Sequence, residues 1–312
     1  MIKDALKQVS GDRLRRDLFY LCRDPLPFRK VNYTRPGQTI HSLSEADRYI
    51  RGQIEAAGLE ATATMHKVQA FRCDSTKPIH HWYSKPDPSD PWYDAANIEA
   101  ALRGREKPDE IIQLISHKDS MSWIDSPGAH DNASGTVANL ELARILANYP
   151  LKRTLRFLFC NEEHSPWTSR FAAEAAAARG DKIVAVMNVD SLDGKSEEEM
   201  AAGKLTHIIG YSTGEGKNLA EFAAGCAVRH KIGLEVRLAF KKNVNDDDGM
   251  FINAGFRKTV MHFGSWPYAD SEYHLPGDVP ERVNIKNLAL STQLLLAAIL
   301  EIDAREANTP GL

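Results

Sequence analysis

Three stretches decide the fold: IIQLISHKDS (111–120), TLRFLFCNEE (154–163) and IVAVMNVDS (183–191). Each opens as a short apolar run without strict alternation, as strands buried on both faces do, and each ends abruptly in imidazole or carboxylate side chains. Strands covered on both faces need helices on either side, and helical patterns follow Asn132 and Pro166 between the runs. The reading is therefore an α/β fold of three layers, with helices on both faces of a mixed, mostly parallel central sheet. In such sheets ligands gather outside the carboxyl ends of the strands, so the three polar endings are expected to meet in space.

Upstream, the chain reads as helical to about Cys22, where Pro25 and Pro27 break it. Leu43, Ala46, Ile50, Ile54 and Ala57 share one face of a second helix, with Ser42 and Glu45 spaced as a capping box and Gly58 as its stop. Residues 60–71 suit a strand. The segment 73–94, CDSTKPIHHWYSKPDPSDPWYD, holds four prolines and four aromatics and is expected to be an ordered loop or insertion. Downstream come strands near 205–210, 234–240 and 258–263, helices near 216–230 and 248–254, and a closing helix from about Asn284 to Glu301. Ile285, Leu288, Leu295, Leu296 and Ile299 form the apolar side of that last helix. No internal repeat or linker interrupts this order. A single domain over 1–312 is expected, with 1–58 as a helical lead-in and 73–94 as its insertion.

Bulk properties narrow the class. With 312 residues, 43% hydrophobic and 26% charged, the chain can bury a sizeable core and is not a disordered polymer. A formal net charge of −3 gives no electrostatic footprint for nucleic acid or a membrane surface. Cys22, Cys73, Cys160 and Cys226 are scattered with no CxxC pair and read as free thiols. The charged N-terminus lacks an apolar signal region and no apolar run suggests a membrane span, so a cytoplasmic location is expected. An oligomer is possible, and the 73–94 insertion is where a subunit contact would first be sought.

Two more polar clusters join the strand endings: GAHDNASG (128–135), where a loop enters a helix, and SEYHLPGD (271–278), in a loop before the last helix. Together the five clusters offer imidazoles and carboxylates but no thiolate, which suits zinc in a catalytic role. Two zinc ions sharing a carboxylate need about five protein ligands and would activate water and polarise a carbonyl. Alone, each piece is weak: a strand-end HxD is commonly a structural hydrogen bond, and adjacent Glu162–Glu163 commonly a solvated pair. Their ordered co-occurrence at strand ends shifts the balance toward a metal site.

In order, HKDS, GAHDNASG, NEE, NVDS and EYHLPGD resemble the metallopeptidase M28 family of co-catalytic zinc aminopeptidases over residues from about 111 to 280. The resemblance implies two Zn2+ per chain, bridged by Asp131, with His117 and Asp190 completing one site and Glu163 and His274 the other. It makes Glu162 the general base and Asp119 the carboxylate that orients His117. The implied activity is cleavage of peptide or small amide bonds, with aminopeptidase first. A glutaminyl-cyclase-like transferase, a non-peptide amidase and a non-catalytic peptidase-like binding domain are the alternatives. There are departures from the family pattern. HSPWTS (164–169) replaces the usual glycine-rich continuation of the Glu pair, and no Ser-Asp-His triplet precedes Phe251. Asp247 and Asp248 stand there instead, an acidic lining that would favour a basic or free-amine group. Tyr211 and Tyr273 are the candidates for stabilising an oxyanion. His130 and His164 flank implied ligands and could touch substrate, whereas His80–His81 suit a rim better than a ligand pair. Cys160 has no activating partner and reads as inert.

Overall fold

The computed structural model describes residues 2–263 and 269–305. Among these, the strands in chain order are β1 (Ala61–Ala70), β2 (Arg72–Cys73), β3 (Tyr83–Ser84), β4 (Tyr93–Leu102), β5 (Lys107–His117), β6 (Arg153–Cys160), β7 (His164–Ser165), β8 (Lys182–Asp190), β9 (Thr206–Tyr211), β10 (Glu235–Phe240) and β11 (Thr259–Phe263). All but β2 and β3 form one nine-stranded sheet, in the order β10-β9-β11-β8-β5-β6-β4-β1-β7. The sheet is mixed. Its centre, β11-β8-β5-β6, is parallel throughout, and β4, β1 and β7 extend it antiparallel on one side. On the other side β9 pairs antiparallel with β11 and parallel with β10. The parallel register places His117 opposite Cys160, so the three strands of the opening motifs stop at nearly one level.

The helices are α1 (Ile2–Leu6), α2 (Gly11–Cys22), α3 (Ser42–Ala56), α4 (Gly135–Leu146), α5 (Ser169–Arg179), α6 (Glu197–Ala201), α7 (Gly214–Arg229), α8 (Asp246–Asn253) and α9 (Ile285–Ala304). They cover both faces. Ile112, Leu114, Phe157, Phe159 and Met187 pack into a large core with α1–α4, α7 and α9. Ile115, Leu158, Cys160 and Val186 pack the opposite way, with Ala173 of α5 and Phe251 of α8. Both sets are fully buried, which is why the runs show no polar alternation.

Several local expectations are corrected. The first helix divides at Ser10, whose hydroxyl accepts from Arg13 N–H and caps α2. The capping box at Ser42 does not form. His41 caps α3 by accepting from Ser44 N–H, Ser42 donates to Lys30 O, and Glu45 pairs with Arg35. Strand β4 was not expected, because YDAANIEAAL is rich in alanine and poor in β-branched residues. Its position between β1 and β6 supplies the order that propensity does not. Helix α9 is apolar enough to cross a membrane by length and composition, with mean hydropathy 1.4, yet 67% of that stretch is buried inside the fold. All four cysteines are free.

Candidate metal centre

Local sequence explains why each polar ending holds its place. His117 closes β5, and its carbonyl accepts from Thr136 of α4. Asp131 lies in a π-helical turn, Ala129–Ser134, with non-helical φ/ψ of −113° and 92°. The following Asn132 fastens that turn to β8, donating to Val189 O at 2.9 Å and accepting from Ser191 N–H at 3.3 Å. Gly135 then lets α4 abut the same strand, since a Cβ there would meet Val189 O at 2.0 Å. The DNASG segment is thus a clasp that sets Asp131 beside Asp190, the last residue of β8. Glu162 and Glu163 follow β6, and the loop after them closes through Asn161 and Thr168, which exchange hydrogen bonds of 2.8 and 2.9 Å. That closure is the course taken by HSPWTS in place of glycines; it also lays β7 on β1.

The five implied ligands and Glu162 converge, all buried, with exposures of 1% to 8%. Asp131 faces both ways: its Oδ1 is 3.0 Å from His117 Nε2 and its Oδ2 3.0 Å from His274 Nε2. Asp190 lies 3.4 Å from His117 Nε2, and Glu163 lies 3.5 Å from His274 Nε2. Each imidazole is turned by its other nitrogen. Asp119 takes His117 Nδ1 at 3.3 Å and also accepts the N–H groups of Glu162 at 3.0 Å and Glu163 at 2.8 Å. His274 Nδ1 donates to the carbonyl of His80 at 2.7 Å. Both Nε2 atoms are left facing the carboxylates.

The donor set fits cations. Burial pushes the carboxyl of Glu162 well above its ordinary value, and the nearby Asp247 and Asp246 push it further. Burial likewise pushes Glu163 up to about 7. Burial opposes charge on the two imidazoles, but the carboxylates outweigh it: His274 rises to about 10 beside Glu163, and His117 rises well above its usual value beside Asp190. Protonated imidazoles here supply positive charge that the carboxylates otherwise lack. Glu162 Oε2 remains buried without a hydrogen bond. Two overlapping triads, His117–Glu162–Asp190 and His117–Asp131–Glu163, each keep their ligand atoms within 4.8 Å of one another. Nitrogen and oxygen donors without thiolate suit zinc in an open, catalytic site.

A pocket of about 440 Å³ opens over Glu162, Glu163 and His274. Tyr273 lines it and stacks on His274 at 3.9 Å, whereas Tyr211 stands behind the wall, 5.7 Å from Phe240. Asp247 and Asp248 do not line it: both are buried, Asp247 under Cys160 at 3.0 Å and Asp248 beside Lys241 at 3.4 Å. The aspartate of this segment that lines the pocket is Asp246, with φ of 65°, a residue not among the sequence-based candidates. Neither flanking histidine lines it. His164 is buried, donating to Asp119 at 2.6 Å and accepting from Val31 N–H at 3.2 Å. His130 sits in a buried cage of Asp193, Asp270 and Asp278 at 3.6, 3.1 and 3.0 Å, to which Lys195 and Arg282 bring further positive charge. Asp278 also accepts the N–H groups of His130 and Asp131, a clamp on Asp131 that carries no signal in the sequence. The 73–94 insertion forms part of the rim, through His81 and Tyr83. Cys160 is held by burial and Asp247 as an unreactive thiol.

The chain is similar to known proteins in family profile and in fold. The profile described as peptidase family M28 matches residues 97–299. Aminopeptidase YwaD of Bacillus subtilis (strain 168) is 26% identical over 212 residues, covering 64% of this chain and 43% of the relative. Among solved structures, LapB from Legionella pneumophila superposes with a TM-score of 0.73 at 20% identity, over 97% of this chain and 75% of that one. A glutaminyl cyclase from Bacteroides thetaiotaomicron reaches 0.68 at 15% identity, over 93% of this chain and 97% of that one. These two likenesses concern the fold alone. The chain spans only 40% to 44% of the length of three probable zinc metalloproteases, one of them from Leptosphaeria maculans.

Proposed function

Because this chain belongs to peptidase family M28, we propose that it is a zinc-dependent exopeptidase that hydrolyses peptide or small amide bonds. The observation that carries the reading is Asp131, whose two carboxylate oxygens each lie 3.0 Å from a different imidazole. That arrangement supports two cation sites, His117–Asp131–Asp190 and Asp131–Glu163–His274. The chemistry that zinc supplies when bound there is Lewis acidity toward the scissile carbonyl and the attacking water.

The residues of the chain supply the rest. Glu162 lines the pocket and has no hydrogen-bond partner on Oε2, so it is placed to take a proton from water and return it to the leaving amine. Its raised affinity for protons matches that shuttle. Asp119 and the His80 carbonyl hold the two imidazoles in the tautomers that present Nε2. Tyr273, on the pocket wall, supplies a phenol for the developing oxyanion. The test combines metal analysis with turnover of aminoacyl, dipeptide, acyl-amide and N-terminal glutamine substrates. About two zinc per chain with amide hydrolysis supports the reading. Glutamine cyclisation without hydrolysis, or no zinc at all, overturns it.

A further inference from the structure

Phe71, Tyr83 and Trp167 line two cavities at once. One is the pocket over Glu162 and Glu163. The other, about 360 Å³, lies across this aromatic wall and takes Lys77 and Lys85 from the 73–94 insertion. The charges on the two sides differ. The first side holds Glu162, Glu163 and Asp246, and its buried Lys241 is already paired with Asp246 and Asp248. Among the described residues, the second side has no carboxylate in its lining. Lys77 is held in place there, donating to Tyr83 O at 2.6 Å, with its head 5.9 Å from the Tyr83 ring and Asp74 no nearer than 4.0 Å.

We propose that the second cavity is a subsite for the carboxylate end of a short peptide, so that the enzyme acts best on di- and tripeptides with a free C-terminus. The inference rests on the peptidase reading above. A zwitterionic peptide has its positive end drawn toward the acidic first pocket, where Asp246 lines the wall, and its negative end toward Lys77 and Lys85, which fixes its direction across the scissile bond. Aromatic rings between the two charged regions accept the intervening side chain whatever its identity. A peptide that engages both charged regions at once must end in the second cavity, which favours short substrates over long chains. Lys77, Tyr83 and Lys85 lie outside the stretch matched by the family profile.

The experiment compares kcat/KM of the zinc-loaded enzyme for a dipeptide and for the same dipeptide as its C-terminal amide. The free acid is expected to be favoured about tenfold, the order of a good charge-assisted contact. In Lys77→Gln/Lys85→Gln the ratio should fall to near one, and in wild type it should shrink as salt rises. A wild-type ratio near one overturns the proposal, as does a ratio that survives the double variant. Loss of the ratio in Lys242→Gln instead would move the carboxylate contact to the exposed lysine at the mouth of the first pocket, and also overturns it. Failure to cleave either substrate overturns the parent reading together with this one, whereas cleavage of both without preference overturns this one alone.

Discussion

The two ends of the same three parallel strands, β5, β6 and β8, both carry buried charge, and they treat it in opposite ways. At the amino ends, Glu110 accepts from Arg153 at 2.7 Å and from Lys182 at 2.8 Å. Arg153 donates further to the carbonyls of Ile302 and Asp303, and Asp303 accepts the N–H groups of Lys152 and Arg153. Each of these charges meets a partner of opposite sign or a backbone dipole. At the carboxyl ends, the four carboxyl groups of Asp131, Glu162, Glu163 and Asp190 crowd around only two imidazoles, and Glu162 Oε2 has no hydrogen bond. Buried charge by itself does not mark a functional site. Buried charge that the protein leaves uncompensated does, because its desolvation has to be offset by something the chain must bind.

The largest expected effect is at the carboxyl ends. Glu162→Gln should lower kcat by about a thousandfold, within the range for loss of a general acid–base, while zinc content stays that of wild type. Asp131→Ala should lose the metal as well, because both imidazole-facing oxygens go with it. Metal analysis beside steady-state kinetics separates the two variants. Full turnover in Glu162→Gln would remove the functional half of the contrast.

At the amino ends the loss should appear in stability and not in rate. Arg153→Met leaves Glu110 without its buried cation and the carbonyls of Ile302 and Asp303 without a donor, and breaking a buried pair on one side costs about 3 kcal/mol. Denaturant titration should show that loss, while kcat/KM per folded molecule stays at the wild-type value. A rate defect would mean that the two ends are coupled along the strands.

Asp119→Asn tests the boundary between the two behaviours. Asp119 is fully buried yet well partnered, by His117, by His164 and by the N–H groups of Glu162 and Glu163. Its loss should weaken zinc binding by roughly 10- to 100-fold, as for other groups that orient a metal-ligating histidine. A competitive chelator titration measures it, and unchanged affinity would reduce Asp119 to a structural tie.

Much of this contrast was legible in the sequence, for reasons tied to particular residues. His117, Glu162, Glu163 and Asp190 close apolar runs with no reason of their own to end in charge, so the break in pattern pointed at them. Asp131 and His274 lie outside strands and were reached through the ordered motifs. What was hidden had no side-chain signal. His80 acts through its carbonyl, which any residue would supply. Within NDDDG, the conformation at Asp246 turns that residue into the pocket and its two successors beneath it, and composition cannot choose among three aspartates. Strand β4 was hidden because its alanines become a strand only between β1 and β6.

The smallest expected effect is the most discriminating for the idea of compensation. Lys182 is 64% exposed at its side chain, whereas its partner Glu110 is 10% exposed. In Lys182→Gln the carboxylate keeps Arg153 at 2.7 Å and keeps contact with water. The change should therefore cost no more than about 0.5 kcal/mol, the usual worth of an exposed ion pair, and should become undetectable in high salt. Thermal or denaturant melts of Lys182→Gln and Arg153→Met side by side provide the measurement. Equal losses would show that Glu110 depends on both cations, that the amino-end network has no reserve, and that uncompensated charge is not what distinguishes the two ends. A small loss beside a large one would show a network that tolerates removal of its outer member because Arg153 stays on Glu110.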